Sequence, residues 1–284
     1  MLKACFLWKN KTRVFREKDT LNAIMTTQET HNKNTDKPVI IMNFSGIYRE
    51  EPFARNSKFV HIDCSRLHGT DCYCDEEGAK SIRKAISPYP ATGVHFIDSG
   101  DYHYVTKFWT EKIKRPFSLV LFDHHTDMQP SRWSGMLSCG GWVKDMADSD
   151  SLLMHIYILG VTKEQASTIP EAYADKVRII TDEQLKAHTD VLKPLAIGEP
   201  LYISIDKDVL DTNSAKTDWD QGILTLDDLK RTLSLMLKHE QIIGIDVCGE
   251  CPATLSLFNP DRSVEIDDKA NSELLTLFKQ QELC

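Results

Sequence analysis

Phe117-Ser118-Leu119-Val120-Leu121-Phe122-Asp123-His124-His125-Thr126-Asp127 is an apolar run that stops abruptly in a cluster of carboxylates and imidazoles. A short continuous apolar run bounded by polar residues reads as a strand buried on both faces, as in a parallel sheet covered by helices. Further along, Pro200-Leu201-Tyr202-Ile203 leads in the same way into Ser204-Ile205-Asp206-Lys207-Asp208-Val209-Leu210-Asp211. Side chains alternate along a strand, so Asp123, His125 and Asp127 are expected on one face, as are Asp206 and Asp208. Such groups at the ends of core strands cost folding free energy unless something neutralises them. A pair of divalent cations is the simplest answer.

Outward from these two strands the chain alternates strand and helix. Further strands are expected at residues 39–44, 94–97, 152–159, 177–180 and 242–247. Helices are expected at 75–86, 101–113, 141–147, 226–239 and 268–280, with another opening at Asp182 and Thr225 capping the 226–239 helix. No repeat or low-complexity tract interrupts the pattern. The alternation implies one α/β domain over residues 1–284, a mostly parallel sheet with helices on both faces. Polar residues 10–37 read as a loop or mobile segment. In such sheets a site lies outside the carboxyl ends of the strands, where both acidic segments stand.

The 284 residues are 41% hydrophobic and 27% charged, ordinary values for a soluble globular chain. A net charge of −8 leaves no electrostatic footprint for nucleic acid or an anionic membrane, and suits a cationic or neutral substrate. The stretch from Met1 to Lys9 is too short in apolar residues for a signal peptide, and no run approaches the roughly 18 apolar residues of a membrane span. The expectation is a cytoplasmic protein with no membrane or nucleic-acid partner, whose eight cysteines are reduced. Cys64, Cys72 and Cys74 gather near Asp63 and His68, and Cys248-Gly249-Glu250-Cys251 has C-x-x-C spacing. Neither group has a second paired C-x-x-C, so ordinary free thiols read better than structural zinc.

Oxygen-rich donors with some imidazole favour manganese or another borderline ion over zinc. Two such ions sharing carboxylates would lower the pKa of a water between them towards neutrality, giving a hydroxide nucleophile without serine or cysteine. Consistently, the sequence has no G-x-S-x-G elbow, glycine-rich phosphate loop or G-x-G-x-x-G.

These residues resemble the ureohydrolase family, the arginase and agmatinase group. Its second signature, D-A-H-x-D, is matched by Asp123 to Asp127, and its third, S-x-D-x-D-x-x-D, by Ser204 to Asp211. Its first, G-G-D-H, is matched by Ser99-Gly100-Asp101-Tyr102-His103 with one residue inserted; His103 is the preferred ligand and Asp101 its competitor. The resemblance implies a three-layer α-β-α fold and two Mn2+ per chain. His103, Asp123, Asp127 and Asp206 would hold one ion, and Asp123, His125, Asp206 and Asp208 the other. It also implies a glutamate after the last core strand that binds the substrate guanidinium, matched here by Glu250. A metal-bridging hydroxide would attack the central carbon, with Asp208 relaying a proton to the leaving amine.

The departures fall on substrate-recognition loops. Arginases carry a histidine shortly after the second signature, thought to shuttle protons, where Ser138 and Cys139 stand here. The third signature lacks its following proline, and the next loop is Ala215-Lys216-Thr217-Asp218-Trp219-Asp220-Gln221-Gly222. Ser138 and Asp220 are therefore the substrate-binding candidates beside Glu250. A guanidino or amidino compound is the expected substrate, a peptidyl arginine is kept open, and so is a homo-oligomer. His124, His95 and His155 are expected to be packed and hydrogen-bonded. Three rivals stand beside this reading. An Asp-His-His phosphoesterase needs its aspartate pair upstream rather than downstream. A zinc deacetylase of the histone deacetylase type would leave Asp127 and Asp208 without a role. A catalytically inactive metal-binding protein finds its best support in the missing histidine.

Overall fold

A computed structural model of the chain describes residues 37–133, 135–187, 198–252 and 262–284. Its strands in chain order are β1 (Val39–Asn43), β2 (Val60–Asp63), β3 (Tyr73–Cys74), β4 (Gly93–Phe96) and β5 (Phe117–Phe122), then β6 (Leu137–Ser138), β7 (Leu153–Leu159), β8 (Val177–Ile180), β9 (Leu201–Asp206) and β10 (Ile242–Cys248). Eight form one sheet in the order β2-β1-β4-β10-β9-β5-β7-β8, every neighbouring pair parallel. β3 and β6 form a separate antiparallel pair. The expectation for residues 10–37 falls outside the described residues apart from Lys37.

Helices cover both faces, as the alternation of apolar residues requires. They are α1 (Glu76–Ile86), α2 (Val105–Thr110), α3 (Trp142–Ser149), α4 (Lys163–Ala166), α5 (Asp182–Ala187), α6 (Leu226–His239) and α7 (Ser263–Gln280). Leu119 and Leu121 of β5 pack with Ile82 of α1, Trp109 of α2 and Trp142 of α3. Val120 and Phe122, one residue out of phase, pack with Leu185 of α5, Leu229 and Leu233 of α6 and Phe278 of α7. Every residue of β5 is buried, so the strand has no solvent face. Truncating Leu121 to alanine there would cost about 2–5 kcal/mol, a large share of a typical domain's stability.

Thr225 caps α6 as its sequence suggests, its hydroxyl accepting from Asp228 N while the Asp228 carboxylate accepts from Thr225 N, both at 3.1 Å. Two helices depart from expectation. The 101–113 segment opens as a 3-10 turn, Gly100–Tyr102, before α2, and α7 starts at Ser263 rather than at 268. β2 is not legible in the sequence because it is a four-residue edge strand carrying His61 and Asp63. Four adjacent strands, β4, β10, β9 and β5, end side by side and deliver Asp98, Glu250, Asp206 and Asp123 to one rim of the sheet. Among the described residues no helix is long and apolar enough to cross a membrane.

Candidate metal centre

β5 ends at Phe122, so Asp123 to Asp127 lie beyond the strand. Their convergence comes from a turn and not from strand alternation, which corrects the first expectation. The turn is held by its own acids: His125 N–H donates to Asp123 Oδ1 at 2.5 Å, and Asp127 takes a left-handed φ of 49°. Asp206 is the last residue of β9, and Asp208 sits in the 3-10 turn Lys207–Val209 with its N–H on Asp206 Oδ1 at 2.9 Å. Gly249 (φ 90°) lets this carboxylate lie against the next strand, since a Cβ there would stand 2.4 Å from Asp206 Oδ1.

His103, at the end of the Gly100–Tyr102 turn, is the hub. Its Nδ1 lies 3.3 Å from Asp123 Oδ2, 3.1 Å from Asp127 Oδ2 and 3.4 Å from Asp206 Oδ2. Its Nε2 lies 2.9 Å from Ser204 Oγ, whose hydroxyl is 2.6 Å from Asp246 Oδ1. An ionised carboxylate only accepts, so Ser204 donates to Asp246 and His103 Nε2–H donates to Ser204. A neutral imidazole would then carry its lone pair on Nδ1, aimed at three carboxylate oxygens. Either an extra proton or a metal cation must lie between them. The pairing of Ser204 with Asp246 across β9 and β10 builds this relay into the sheet.

A second group shares Asp123. His125 Nδ1 is 2.8 Å from Asp208 Oδ2 and 3.6 Å from Asp123 Oδ1, while Asp208 Oδ1 accepts from His124 N at 2.9 Å. The donor atoms of His103, Asp123 and Asp127 lie within 4.8 Å of one another, as do those of Asp123, His125 and Asp208. His103, Asp206 and Cys248 form a further such group, with Cys248 Sγ 3.2 Å from Asp206 Oδ2. The structure thus brings together all six residues expected as ligands. Four carboxylates with two imidazoles are the oxygen-rich donor set that suits a manganese-like ion.

The electrostatics point the same way. Burial and the charge of Asp123 push Asp127 up to about 6, and burial with neighbouring acids raises Asp206 and Asp208. Burial opposes charge on His125, but its hydrogen bonds to Asp123 and Asp208 win and lift it to about 11. Burial would also raise Asp123, yet hydrogen bonds from His103 and His125 hold it below the usual carboxylate range. Left to itself the cluster gathers protons; divalent cations would displace them.

The cluster floors a cavity of about 300 Å³ walled by Gln129, Arg132, Ser138 and Trp219. Ser138 therefore lies at the cavity as expected, whereas Asp220 is exposed and does not line it. Asp101 is turned away from His103: its Oδ1 accepts from Cys72 Sγ at 2.9 Å and from Trp219 Nε1 at 3.1 Å.

Glu250 requires a correction. It is fully buried, with Oε2 2.6 Å from Lys207 Nζ and Oε1 accepting from Asn271 Nδ2 at 2.8 Å. Lys207 is buried too, and its ammonium also reaches Asp267 at 3.3 Å. The guanidinium partner expected from the substrate is thus replaced by the chain's own lysine. Lys207, inside the third signature, escapes a sequence reading because nothing in the sequence tells a buried lysine from a solvated one.

His95 stacks on Trp109 at 3.8 Å and lies 3.0 Å from Tyr202 Oη, and His155 pairs with Glu199 at 3.0 Å. His124 is half-buried outside the cavity, its Nδ1 without a hydrogen bond. Cys64 and Cys74 are buried in the apolar layer over one face of the sheet, as free thiols.

The sequence pattern of the Arginase family matches residues 76–254. A protein of Thermotoga maritima described only as uncharacterised is 32% identical over 228 residues, 80% of this chain and 85% of its own. Formimidoylglutamase from Bacillus subtilis superposes with a TM-score of 0.61 at 16% identity, over 87% of this chain and 88% of that one. Trypanosoma cruzi formiminoglutamase, solved with Mn2+, gives 0.61 at 12% identity, over 85% and 94%. At such identities these two likenesses carry the fold: a parallel sheet between two helical layers.

Proposed function

Because this chain belongs to the arginase family, we propose that it is a binuclear manganese hydrolase cleaving a C–N bond of a small guanidino or related amidino compound. His103, Asp123, Asp127 and Asp206 would hold one ion, and Asp123, His125, Asp206 and Asp208 the other. When bound, such a pair supplies Lewis-acid polarisation and a water acidified towards neutrality. His103 carries this reading, because with its Nε2–H held by Ser204 and Asp246 its Nδ1 faces three carboxylates, a gap that a proton or a divalent cation must fill.

The protein's own groups do the rest. Asp123, Asp206 and Asp208 line the cavity, so an amidino carbon would sit directly against the ligand cluster they form. Asp208, at the cavity, would take a proton from the attacking water and pass it to the leaving amine. Gln129, Arg132 and Ser138 stand where a substrate tail would lie, and Arg132 favours a tail that ends in a carboxylate. A cavity of about 300 Å³ suits a small molecule better than a peptidyl arginine.

The test is manganese analysis of the purified protein followed by a screen over guanidino and formimino compounds for urea, formamide or ammonia release. Turnover of at least one compound, abolished together with metal binding in Asp206→Asn, is the expected result. Full activity in that variant, or less than one tightly held ion after manganese loading, would reject the assignment.

A further inference from the structure

On the wall of the same cavity lies a donor set of different chemical character. β3 and β6 pair with Tyr73 opposite Ser138 and Cys74 opposite Leu137. One step further along the ladder Cys72 faces Cys139, whose N–H donates to Cys72 O at 2.9 Å. Both cysteines line the cavity, and Asp101 reaches them from the Gly100–Tyr102 turn. The two sulfurs and an Asp101 oxygen lie within 4.8 Å of one another, with Cys72 Sγ 2.9 Å from Asp101 Oδ1. Both cysteines are free thiols.

We propose that Cys72, Cys139 and Asp101 form a binding site for a thiophilic divalent cation of the zinc class, separate from the oxygen-rich centre below. Two thiolates bound to one zinc at about 2.3 Å would stand about 3.7 Å apart, a spacing this trio reaches with small side-chain rotations. Binding releases the two thiol protons to solvent and leaves a coordination position open to the cavity. A neighbouring carboxylate bears on the site: Asp218 is half-buried and lies close enough to Asp101 to feel its charge and to share a hydrogen bond with it. Two crowded carboxylates beside two thiols are an environment that a cation relieves. Donor softness sorts the ions, since thiolates select zinc-like metals while carboxylates with imidazole retain manganese. Zinc held there narrows the cavity above the reacting centre. The site stands whether or not the proposed hydrolysis is right.

The full-length protein, first loaded with Mn2+, is titrated with Co2+ as a spectroscopic stand-in for zinc. The expected result is one further equivalent with a thiolate-to-cobalt charge-transfer band, bleached by added Zn2+. The band should be lost in Cys72→Ser and in Cys139→Ser, with the manganese content of both variants unchanged. Cys248→Ser should keep it, because Cys248 touches Asp206 in the other centre. Absence of the band in the wild type, its persistence in both Cys72→Ser and Cys139→Ser, or its loss in Cys248→Ser alone would overturn the proposal. Should Cys139→Ser fail to fold, Cys72→Ser, at a half-buried position, decides the matter in the same way.

Discussion

Replacing Glu250 by glutamine separates two accounts of that residue. Glu250 is buried with Lys207 Nζ 2.6 Å from one oxygen and Asn271 Nδ2 2.8 Å from the other. Glutamine keeps the shape but removes the charge that neutralises Lys207. Breaking a buried ion pair by removing one partner costs about 3–5 kcal/mol. Asp267, 3.3 Å from the same ammonium, softens the loss, so the lower end of that range, about 3 kcal/mol, applies. For a domain of this size that lowers Tm by roughly 6 °C. Thermal unfolding of the manganese-loaded protein, with steady-state kinetics alongside, is the assay. The expected outcome is the lower Tm with unchanged metal content and a KM within about twofold of wild type, since no contact to substrate is lost. An unchanged Tm with a KM raised tenfold or more would show that Glu250 meets the substrate and that its pairing with Lys207 is incidental.

Ser204→Ala frees His103 to choose either tautomer, and manganese affinity should fall about 10- to 100-fold by calorimetric titration; an unchanged affinity would mean that the Asp246 relay does not orient His103. The metal-free and manganese-loaded proteins should respond oppositely to pH. His125, raised to about 11, and Asp127, raised to about 6, stabilise the metal-free fold fully below their unfolded values of about 6.5 and 3.9, and lose that contribution as pH climbs through the folded ones. Metal uptake needs those groups deprotonated, so the gap in Tm between loaded and metal-free protein should widen from pH 5 to pH 9; a constant gap would contradict the ligand set. Arg132 is solvent-exposed on the cavity wall, so Arg132→Ala should lower kcat/KM for an acid-tailed substrate only about two- to tenfold and leave an amine-tailed one unaffected, and an equal loss for both would remove its role in selecting the tail.

Much of the frame is legible because burial on both faces writes itself as uninterrupted apolar sequence. Phe117 to Phe122 and Leu201 to Ile205 could hardly be anything but inner strands of a parallel sheet. Residues 60–63 escape because an edge strand is half solvated and shows no such run. The six clustered ligands stand out by their motifs, although strand alternation is the wrong reason for their convergence: turns at the ends of β5 and β9 and at Gly100–Tyr102 bring them together. Asp246 goes unnoticed despite a visible clue, a lone acid within the apolar strand Ile242-Ile243-Gly244-Ile245-Asp246-Val247-Cys248. Glu250 misleads because pairing between Lys207 and a distant carboxylate is a tertiary fact. The same holds for Cys72 and Cys139, which only the small β3–β6 ladder brings face to face.

The most direct measurement is anomalous diffraction at the manganese edge from crystals of the protein grown with excess Mn2+. Two peaks about 3.5–4 Å apart, with Asp123 and Asp206 reaching both, are predicted. A single peak, or none, with His103 Nδ1 and the surrounding carboxylates linked only through protons and solvent, would contradict the assignment.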